Sequence, residues 1–418
     1  MQRIVITGIG AVTPLGNTFR DSWTAACAGK TGIRKISRIS DFDVPWTVCG
    51  EVREFNPLMY LGIKEMRRLD LFAQYAVSAA IMAGRDSGLI KDEGRRAKSE
   101  KRYEPNDYLS SGGVIIGSSR GGIGMLEHAL LKPSRISKSR MSPYLMPATT
   151  ISMAASYAAQ KLGIRGHCLG ISNACASGTN AIGEAYRLIR SGYTGPVFAG
   201  GADAPISRIC IQGYGAAGAL SRTPDHTASR PFDRTRDGFV LSEGACVLVV
   251  ERYEAAIKRC AHIYAEISGC GSTADAFHQT RPHPAGEARA MRSALVLSEM
   301  TPRGIDIISA HGTSTPLGDS AEAQAIREVF GDLASIIPAS AMKSMTGHML
   351  AASGAFEAAS AAMAIDQGII FPTINLEEQD KDIPLSIVRQ ATRVNIRTAL
   401  INSFGFGGVN AVLVLQKI

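Results

Sequence analysis

The stretch ISNACASGTNAIGEAYRLIRSG, residues 171–192, sets the thiol of Cys175 among small residues and then continues as an amphipathic helical pattern. A second stretch, TGHMLAASGAFEA at residues 346–358, has His348 in the place of the cysteine. Each stretch predicts a short loop followed by a helix with small residues on its first two turns. Similarity at a fixed offset is typical of internal repeats, so the chain is predicted to consist of two halves of similar architecture.

The two stretches align at an offset of 173 residues, at which Glu184 also falls on Glu357. We place the boundary between the halves near the end of CVLVVERYEAA. Residues 1–255 are then the N-terminal half, with the cysteine, and residues 256–418 are the C-terminal half, with the histidines His311 and His348.

The rest of the chain alternates between two kinds of pattern. Short apolar runs such as RIVITG, GGVIIG, PVFAGG, CVLVVE and AVLVLQ predict strands, and longer segments such as DSAEAQAIREVFG predict helices. This alternation is typical of a layered α/β protein. Several predicted strands end in glycine-rich turns, where binding and chemistry concentrate in such folds.

Composition excludes several classes of protein. The 418 residues are 45% hydrophobic, enough for a large core. The net charge of +8 permits an acidic partner, but no basic patch is interleaved with aromatic residues, so nucleic acid is not predicted. The start MQRIVITGIG lacks a secretory pattern, and charged residues interrupt the most apolar region, residues 349–372. We expect a cytoplasmic protein that does not span a membrane.

Eight scattered cysteines predict reduced thiols and no metal site, because they form no CxxC pair and no His/Cys metal spacing. Cys175 is the candidate for chemistry. A helix N-terminus stabilises a thiolate by roughly 0.3 to 1 kcal/mol, and by up to about 2 kcal/mol when partly buried, which predicts a lowered pKa. The alternative is that Cys175 packs as a small hydrophobic residue.

Two histidines strengthen the catalytic interpretation. His311 lies in ISAHGTSTPLGDSAEA, at the end of an apolar strand pattern, and His348 lies in AMKSMTGHMLAASG, shortly after Lys343. Either histidine alone is more often structural than catalytic. Together with Cys175 they stand at three glycine-bounded junctions between a strand and a helix, which indicates one site for nucleophilic catalysis.

At these motifs the sequence resembles the β-ketoacyl-acyl-carrier-protein synthases, condensing enzymes of the thiolase superfamily. The resemblance rests on NACASG, AHGTSTPLGD, KSMTGH and the closing NSFGFGGVNA, and it extends to VITGIGAVTPLG and ASRPFDRTRDGFVLSEGA. It covers nearly the whole chain. It implies the layered αβαβα fold of two duplicated halves, and it implies a synthase of the elongating type II kind.

The resemblance also implies roles for individual residues. Cys175 would accept an acyl group from acyl carrier protein, and neutral imidazoles at His311 and His348 would stabilise the enolate formed when malonyl carrier protein loses carbon dioxide. Lys343 would set the charge and geometry of that pair. Two further residues complete the implied site: Glu357 as a buried structural carboxylate, and Phe406 as the gate of the acyl pocket and, through its backbone N–H together with that of Cys175, part of the oxyanion hole. No metal or organic cofactor is implied, because the thioester arm belongs to the carrier protein.

Partners follow from charge and from the resemblance. In IKEMRRLD, Lys64, Arg67 and Arg68 fall on one face if the segment is helical, and the family contacts acidic carrier protein at this position. A solvated helix face is the alternative. Lys138 and Arg140 are weaker candidates. The family forms homodimers, and a heterodimer with a partner subunit would suit a specialised synthase.

Arg120, in VIIGSSRGGIG, departs from the family pattern of a small or aliphatic residue at the far end of the acyl pocket. A guanidinium there would shorten the pocket, reach an acceptor across a dimer interface, or favour polar or unsaturated chains. The alternatives are therefore a specialised polyketide or polyene ketosynthase, or a partner subunit of one. A partner subunit would lack the nucleophile, a degradative thiolase would carry a second active-site cysteine in its closing motif, and a cysteine hydrolase would not need the second histidine.

Overall fold

The computed structural model describes residues 2–39, 43–91, 103–131 and 141–418. The strands of these residues are β1 (Ile4–Val12), β2 (Arg34–Lys35), β3 (Val48–Cys49), β4 (Gly113–Gly117), β5 (Cys168–Ile171), β6 (Val197–Asp203), β7 (Gly244–Arg252), β8 (Ala265–Ala274), β9 (Ile307–Ser309), β10 (Pro338–Ser340), β11 (Ile369–Ile370), β12 (Ser386–Ile387), β13 (Thr392–Arg393), β14 (Thr398–Gly405) and β15 (Val409–Gln416). Their helices are α1 (Phe19–Cys27), α2 (Ile63–Arg68), α3 (Leu71–Asp86), α4 (Asp107–Ser110), α5 (Ile123–Leu131), α6 (Leu145–Thr149), α7 (Met153–Leu162), α8 (Ser177–Arg190), α9 (Arg208–Ala216), α10 (Tyr253–Lys258), α11 (Pro284–Leu297), α12 (Pro316–Phe330), α13 (Lys343–Thr346) and α14 (Ala351–Gln367).

The strand order of the first half is repeated in the second. It runs β5-β4-β6-β7-β1 in one and β10-β9-β14-β15-β8 in the other. In both, the first three strands are parallel and the last two pair antiparallel with their neighbours. The predicted pair of similarly built α/β halves is therefore confirmed. The predicted boundary between residues 255 and 256 falls inside α10, which connects β7 to β8, and it stays a prediction.

The helices and strands stack in five layers. Helices α8 and α14 pack on each other and contact strands of both halves, so they form the central layer. Helices α3 and α7 cover the outer face of the first half's strands, and α11 and α12 lie outside the second half. This is the αβαβα arrangement expected from the sequence. Between the halves, β1 and β8 pair through two residues each, which joins the strands of both halves into one sheet, with β12 beside β10 at its edge. Among the described residues, β2 with β3 and β11 with β13 form two separate two-stranded sheets.

Strand β7, which ends in Glu251 and Arg252, shows why these strands are apolar over most of their length. Alternate side chains of a strand point to opposite faces of its sheet, and here both faces are covered by helices. The side chains toward the central layer are Cys246, Leu248 and Val250, and those toward the outer layer are Ala245, Val247 and Val249. All of them are essentially inaccessible to solvent.

Small residues let the two central helices approach closely. A Cβ atom added at Gly178 would lie 2.2 Å from the carbonyl oxygen of Ala351, and one added at Gly354 would lie 2.0 Å from Thr179 Oγ1. The alanine-rich segment predicted as a buried helix is α14. Within the described ranges, no helix combines the length and the apolar character needed to cross a bilayer.

Candidate active site

Cys175 lies in the turn between β5 and α8. The preceding residue, Ala174, has a φ of 45°, a left-handed conformation that an L-alanine rarely adopts and that costs about 1–3 kcal/mol. This turn leaves Cys175 just before Ala176, the N-cap of α8, rather than within the first helical turn as predicted. The strained turn brings the thiol to the surface of a cavity.

Four segments far apart in sequence meet at this cavity, whose volume is about 370 Å³. Cys175, His311, His348 and Phe406 all contribute to its wall. Cys175 and His348 stand at equivalent places, because each lies between the corresponding strand and helix of its own half: β5 and α8, or β10 and α14. The sequence alignment of these two residues therefore reflects the architecture.

The pKa of the Cys175 thiol is raised in this site, so the neutral form is favoured. Burial raises its pKa to about 11, although the charges of Lys343 and Arg120 and the backbone N–H of Phe406 act to lower it. The prediction of a lowered pKa is therefore wrong for the free protein. A helix N-terminus supplies at most about 2 kcal/mol, and the loss of hydration around the sulfur exceeds it. The nucleophile of the resting site is a neutral thiol.

Lys343 fixes the tautomer of His311. Its ammonium group lies 2.6 Å from the carbonyl oxygen of His311, 2.5 Å from Glu357 Oε1 and 3.3 Å from His311 Nδ1. An ammonium group has three hydrogens to donate and no acceptor, so Nδ1 of His311 accepts the third. The hydrogen of the imidazole is then on Nε2.

Ser353 does the same for His348. Its Oγ accepts a hydrogen bond from the backbone N–H of Met349 at 2.9 Å and lies 3.3 Å from His348 Nδ1. No other acceptor for the hydroxyl hydrogen is found among the described residues, so Ser353 donates to Nδ1 and His348 also carries its hydrogen on Nε2. The two rings are nearly perpendicular, with centroids 5.5 Å apart.

Both imidazoles are neutral at physiological pH. Burial lowers the pKa of His311 well below its ordinary value, and the charge of Lys343 and the neighbouring His348 lower it further. Burial and Lys343 have the same effect on the pKa of His348. The site therefore holds two neutral Nε2–H donors and one thiol.

The residues that hold the two histidines in place include an almost completely buried ion pair. Lys343 and Glu357 are each 1% exposed. Burial raises the pKa of Glu357 to about 7, and the ammonium group of Lys343 opposes that rise. Glu322 accepts hydrogen bonds from the backbone N–H groups of His311 and Gly312, at 2.7 and 2.8 Å, and so fixes the loop that carries the first histidine.

Sequence reasoning missed three supporting residues. They are Ser353, Asn402, which donates to Glu322 Oε1 at 2.9 Å, and Asp203, which accepts from the backbone N–H of Ala351 at the start of α14 at 2.9 Å. Asp203 also accepts from the backbone N–H groups of Ser119 and Arg120. Asp203 is the last residue of β6, and this position at the end of a strand could have marked it as a site residue. Asn402 on β14 and Ser353 on α14 lie inside the motifs NSFGFGGVNA and TGHMLAASGAFEA, but nothing in the sequence indicated which groups they contact.

Phe406 and Arg120 are connected through Tyr214. The Phe406 ring lies 6.3 Å from that of Tyr214, which also lines the cavity. Arg120 is exposed and does not line this cavity. Its Nε donates to Tyr214 Oη at 2.8 Å, and its guanidinium carbon lies 5.1 Å from the centre of the ring. Arg120 thus holds the aromatic wall of the cavity through Tyr214, without lining the cavity itself.

The basic residues of IKEMRRLD lie on α2, which does not contribute to the cavity wall. Lys64, Arg67 and Arg68 are all exposed, and the guanidinium carbon of Arg68 lies 4.4 Å from the centre of the Tyr144 ring. Lys138 and Arg140 lie outside the described residues. The part of the chain that the structure describes contains no group of three His, Cys, Asp or Glu residues arranged to hold a metal ion.

Replacing Lys343 with methionine is expected to destabilise the fold by about 3–5 kcal/mol, because it leaves Glu357 buried without its counterion. The double variant Lys343→Met/Glu357→Leu is expected to recover much of that loss. Urea unfolding measures both. The control is Arg187→Met, which breaks an exposed ion pair with Glu184 and is expected to cost less than about 1 kcal/mol. Equal losses for Lys343→Met and Arg187→Met would contradict the prediction.

The chain matches two family models in succession. Residues 1–256 match the model described as "Beta-ketoacyl synthase, N-terminal domain", and residues 264–377 match "Beta-ketoacyl synthase, C-terminal domain". The protein belongs to the β-ketoacyl synthase family, and its five layers are the thiolase-type fold of these condensing enzymes.

Individual relatives agree with that assignment. The chain is 40% identical over 422 residues to "3-oxoacyl-[acyl-carrier-protein] synthase 2" of Coxiella burnetii (strain RSA 493 / Nine Mile phase I), covering 100% of this chain and 99% of the relative. Two solved structures are similar along their whole length. "The ishigamide ketosynthase/chain length factor" has a TM-score of 0.90 at 33% identity, covering 100% of this chain and 99% of that chain. "AntDE:AntF (apo): type II PKS acyl-carrier protein in complex with its ketosynthase bound to the hexaketide" has a TM-score of 0.87 at 31% identity, covering 100% of both chains. The protein is an enzyme of the acyltransferase type that these condensing enzymes represent.

Proposed function

We propose that this enzyme joins an acyl-enzyme thioester to malonyl-acyl carrier protein by decarboxylative Claisen condensation, in fatty acid chain elongation. The product is 3-oxoacyl-acyl carrier protein. The observation that carries the proposal is the meeting of one thiol, Cys175, with two neutral Nε2–H imidazoles, His311 and His348, in a single cavity. A nucleophile with two hydrogen-bond donors suits a reaction that forms first a thioester and then an enolate.

The first half-reaction loads the enzyme. The Sγ atom of Cys175 attacks the carbonyl carbon of the acyl thioester, the bond to the carrier's sulfur breaks, and the thiol proton leaves with that sulfur. The backbone N–H groups of Cys175 and Phe406 are the proposed oxyanion donors. The N–H of Phe406 lies against the cysteine sulfur. A Cβ atom added at Gly405 would lie 3.2 Å from the Cys175 nitrogen, so glycine keeps this corner open.

The second half-reaction forms the carbon–carbon bond. The bond between the malonyl α-carbon and its carboxylate breaks and carbon dioxide leaves. The electron pair of the broken bond stays on the α-carbon and forms an enolate. The Nε2–H groups of His311 and His348 donate to the enolate oxygen. The enolate carbon attacks the acyl carbonyl carbon, the bond to Cys175 Sγ breaks, and the sulfur takes up one proton. Lys343 acts behind His311 by holding its tautomer, and Glu357 and Glu322 hold Lys343 and the histidine loop.

A specialised polyketide or polyene ketosynthase is the second candidate, and the contact between Arg120 and Tyr214 is what favours it. Tyr214 lines the cavity, and the hydrogen bond from the exposed Arg120 holds its ring in place, so this wall would stop a long saturated chain. Short, polar or conjugated chains suit such a wall better.

The test is mass spectrometry of the intact protein after incubation with acyl carrier proteins of different chain length and unsaturation, followed by malonyl carrier protein. Loading of saturated medium chains and release of 3-oxoacyl products support elongation. Loading confined to short, polar or unsaturated chains in the native enzyme, which widens in Arg120→Ala, supports the specialised synthase. The absence of loading from every carrier would refute both.

Acyl carrier protein is the proposed partner, and α2 is its proposed contact. Carrier proteins are acidic, and Lys64, Arg67 and Arg68 place three exposed positive charges on one short helix. For the assembly we propose a homodimer, with a heterodimer with a partner subunit as the alternative. Strand β5 ends the order of strands in the described sheet, and its Cys168 and Leu169 are exposed, which leaves an edge for a second chain.

Neutralising the basic helix in the triple variant Lys64→Ala/Arg67→Ala/Arg68→Ala is expected to raise the KM for acyl carrier protein by about tenfold at low salt, because charge complementarity governs encounter. The difference should shrink as salt is added. The KM for a free acyl-pantetheine thioester should not change. Steady-state loading assays measure the KM for carrier protein at low salt, its change with added salt, and the KM for the free thioester. The variant Lys258→Ala/Arg303→Ala is the control for loss of exposed charge elsewhere. An equal rise for carrier-bound and free thioesters would contradict docking at α2.

A further inference from the structure

Glu287 is a carboxylic acid in the wall of the active-site cavity, and none of the steps above uses it. It lies in the first turn of α11 and is only 1% exposed. Its Oε2 atom has no hydrogen-bond partner among the described residues. Leaving such an atom unsatisfied costs about 1–3 kcal/mol. A buried polar side chain that lines a substrate cavity and has an atom without a protein partner indicates a partner that arrives with the substrate.

The groups around Glu287 favour its uncharged form. Burial raises its pKa well above the ordinary value, and the nearby carboxylates of Glu322 on α12 and Asp275 after β8 raise it further. From β15 the neighbour is the amide of Asn410, which donates to Asp275 Oδ1 at 2.7 Å. His283 precedes α11, and its Nδ1 also lacks a partner among the described residues. A protonated carboxyl group has one O–H to donate.

We propose that Glu287 binds the thioester arm of the incoming substrate by donating its O–H to an amide carbonyl oxygen of that arm. The inference rests on the condensing function proposed above and adds a residue that selects for the natural carrier arm. The malonyl carboxylate is a poor alternative partner, because its negative charge would approach Asp275 and Glu322. A neutral amide carbonyl meets no such repulsion.

The position of Glu287 favours the arm over the acyl chain. Glu287 itself is buried, but the segment that leads into α11 contributes the exposed Arg281 to the cavity wall, and the start of α12 contributes Leu317, which is 60% exposed. The aromatic wall made by Tyr214 and Phe239 is 8% and 4% exposed. A substrate that enters from the open side keeps its arm beside the exposed residues and sends its acyl chain toward the closed wall.

The experiment compares two acyl thioesters with the same acyl group, one on pantetheine and one on ethanethiol, which has no amide. Loading of Cys175 is followed by mass spectrometry in the native enzyme, in Glu287→Gln and in Glu287→Leu. The leucine variant is expected to raise the KM for the pantetheine thioester by about tenfold and to leave the ethanethiol thioester unchanged. Glutamine retains a neutral donor, so its KM should stay close to that of the native enzyme at neutral pH.

The pH profile supplies the second readout. Ionisation of Glu287 removes the donor, so the native KM for the pantetheine thioester should rise as pH is increased above neutral, while Glu287→Gln should lack this rise. Glu254→Gln, at an exposed position on α10, is the matched control and should behave as the native enzyme. Equal effects of Glu287→Leu on both thioesters, or no effect on either, would overturn the proposal. Failure of the native enzyme to load either thioester would refute the condensing function instead.

Discussion

The Cys175→Ala variant is expected to show no acyl mass after incubation with any acyl carrier protein, and its condensation rate should fall by about 10⁴- to 10⁶-fold. The reason is that the covalent intermediate has no other atom to form on, since alanine removes only the sulfur. Losses of this size are typical when a nucleophile is deleted from a site whose groups act as a unit. Intact-protein mass spectrometry and the formation of the 3-oxoacyl product measure the two effects.

The matched control is Cys260→Ala, which removes an exposed thiol from the turn after α10. It is expected to load as the native protein does. Because Cys175 has small neighbours and leaves a modest space, we expect the unfolding midpoint of Cys175→Ala to stay close to that of the native protein. Retention of acyl mass in Cys175→Ala would place the nucleophile elsewhere and contradict the proposed mechanism.

The His348→Ala variant is expected to separate the two half-reactions. Acyl loading on Cys175 should persist, whereas release of carbon dioxide and of the 3-oxoacyl product should fall by about 10²- to 10³-fold, the usual cost of deleting one donor to a developing oxyanion. The physical reason is that the Nε2–H of His348 has its partner only when the enolate oxygen forms. Single-turnover loading and multiple-turnover condensation, measured on the same sample, give the two rates.

His262→Ala is the control, because this imidazole is more than half exposed and lies near Asp366, away from the cavity. It should leave both rates unchanged. The native condensation rate should also not fall as the pH rises through 6 to 7, because the donors are already neutral there. Parallel losses of loading and condensation in His348→Ala would mean that the imidazole serves the thiol instead of the enolate.

Much of the fold follows from local patterns in the sequence. Strands such as β7 carry apolar residues on both faces over most of their length, because both faces are covered, and this pattern made the layered α/β class predictable. The small residues around Cys175 and His348 marked two equivalent junctions, and the equivalence holds because the strand order repeats around them. The family motifs then predicted a common site, and the structure brings the thiol, both histidines and Phe406 to one cavity.

Other properties depend on long-range contacts and could not be read from the chain. The pKa of Cys175 depends on how much water the surrounding segments remove, so a local argument from the helix terminus gave the wrong sign. The tautomers of the histidines depend on Lys343 and Ser353, whose contacts form only after the halves assemble. That Arg120 departs from the family pattern stays a prediction, and its contact with Tyr214 crosses 94 positions of sequence.

The repeated strand order has a consequence for how such a site arises. In a symmetric pair of identical halves, the same amino acid would occupy both equivalent junctions, and a thiol could only face another thiol. Joining the halves in one polypeptide lets each junction change independently, so that position 175 holds a nucleophile and position 348 an electrophilic hydrogen-bond donor. Covalent linkage of the two copies thus permits a division of labour that their symmetry alone would forbid.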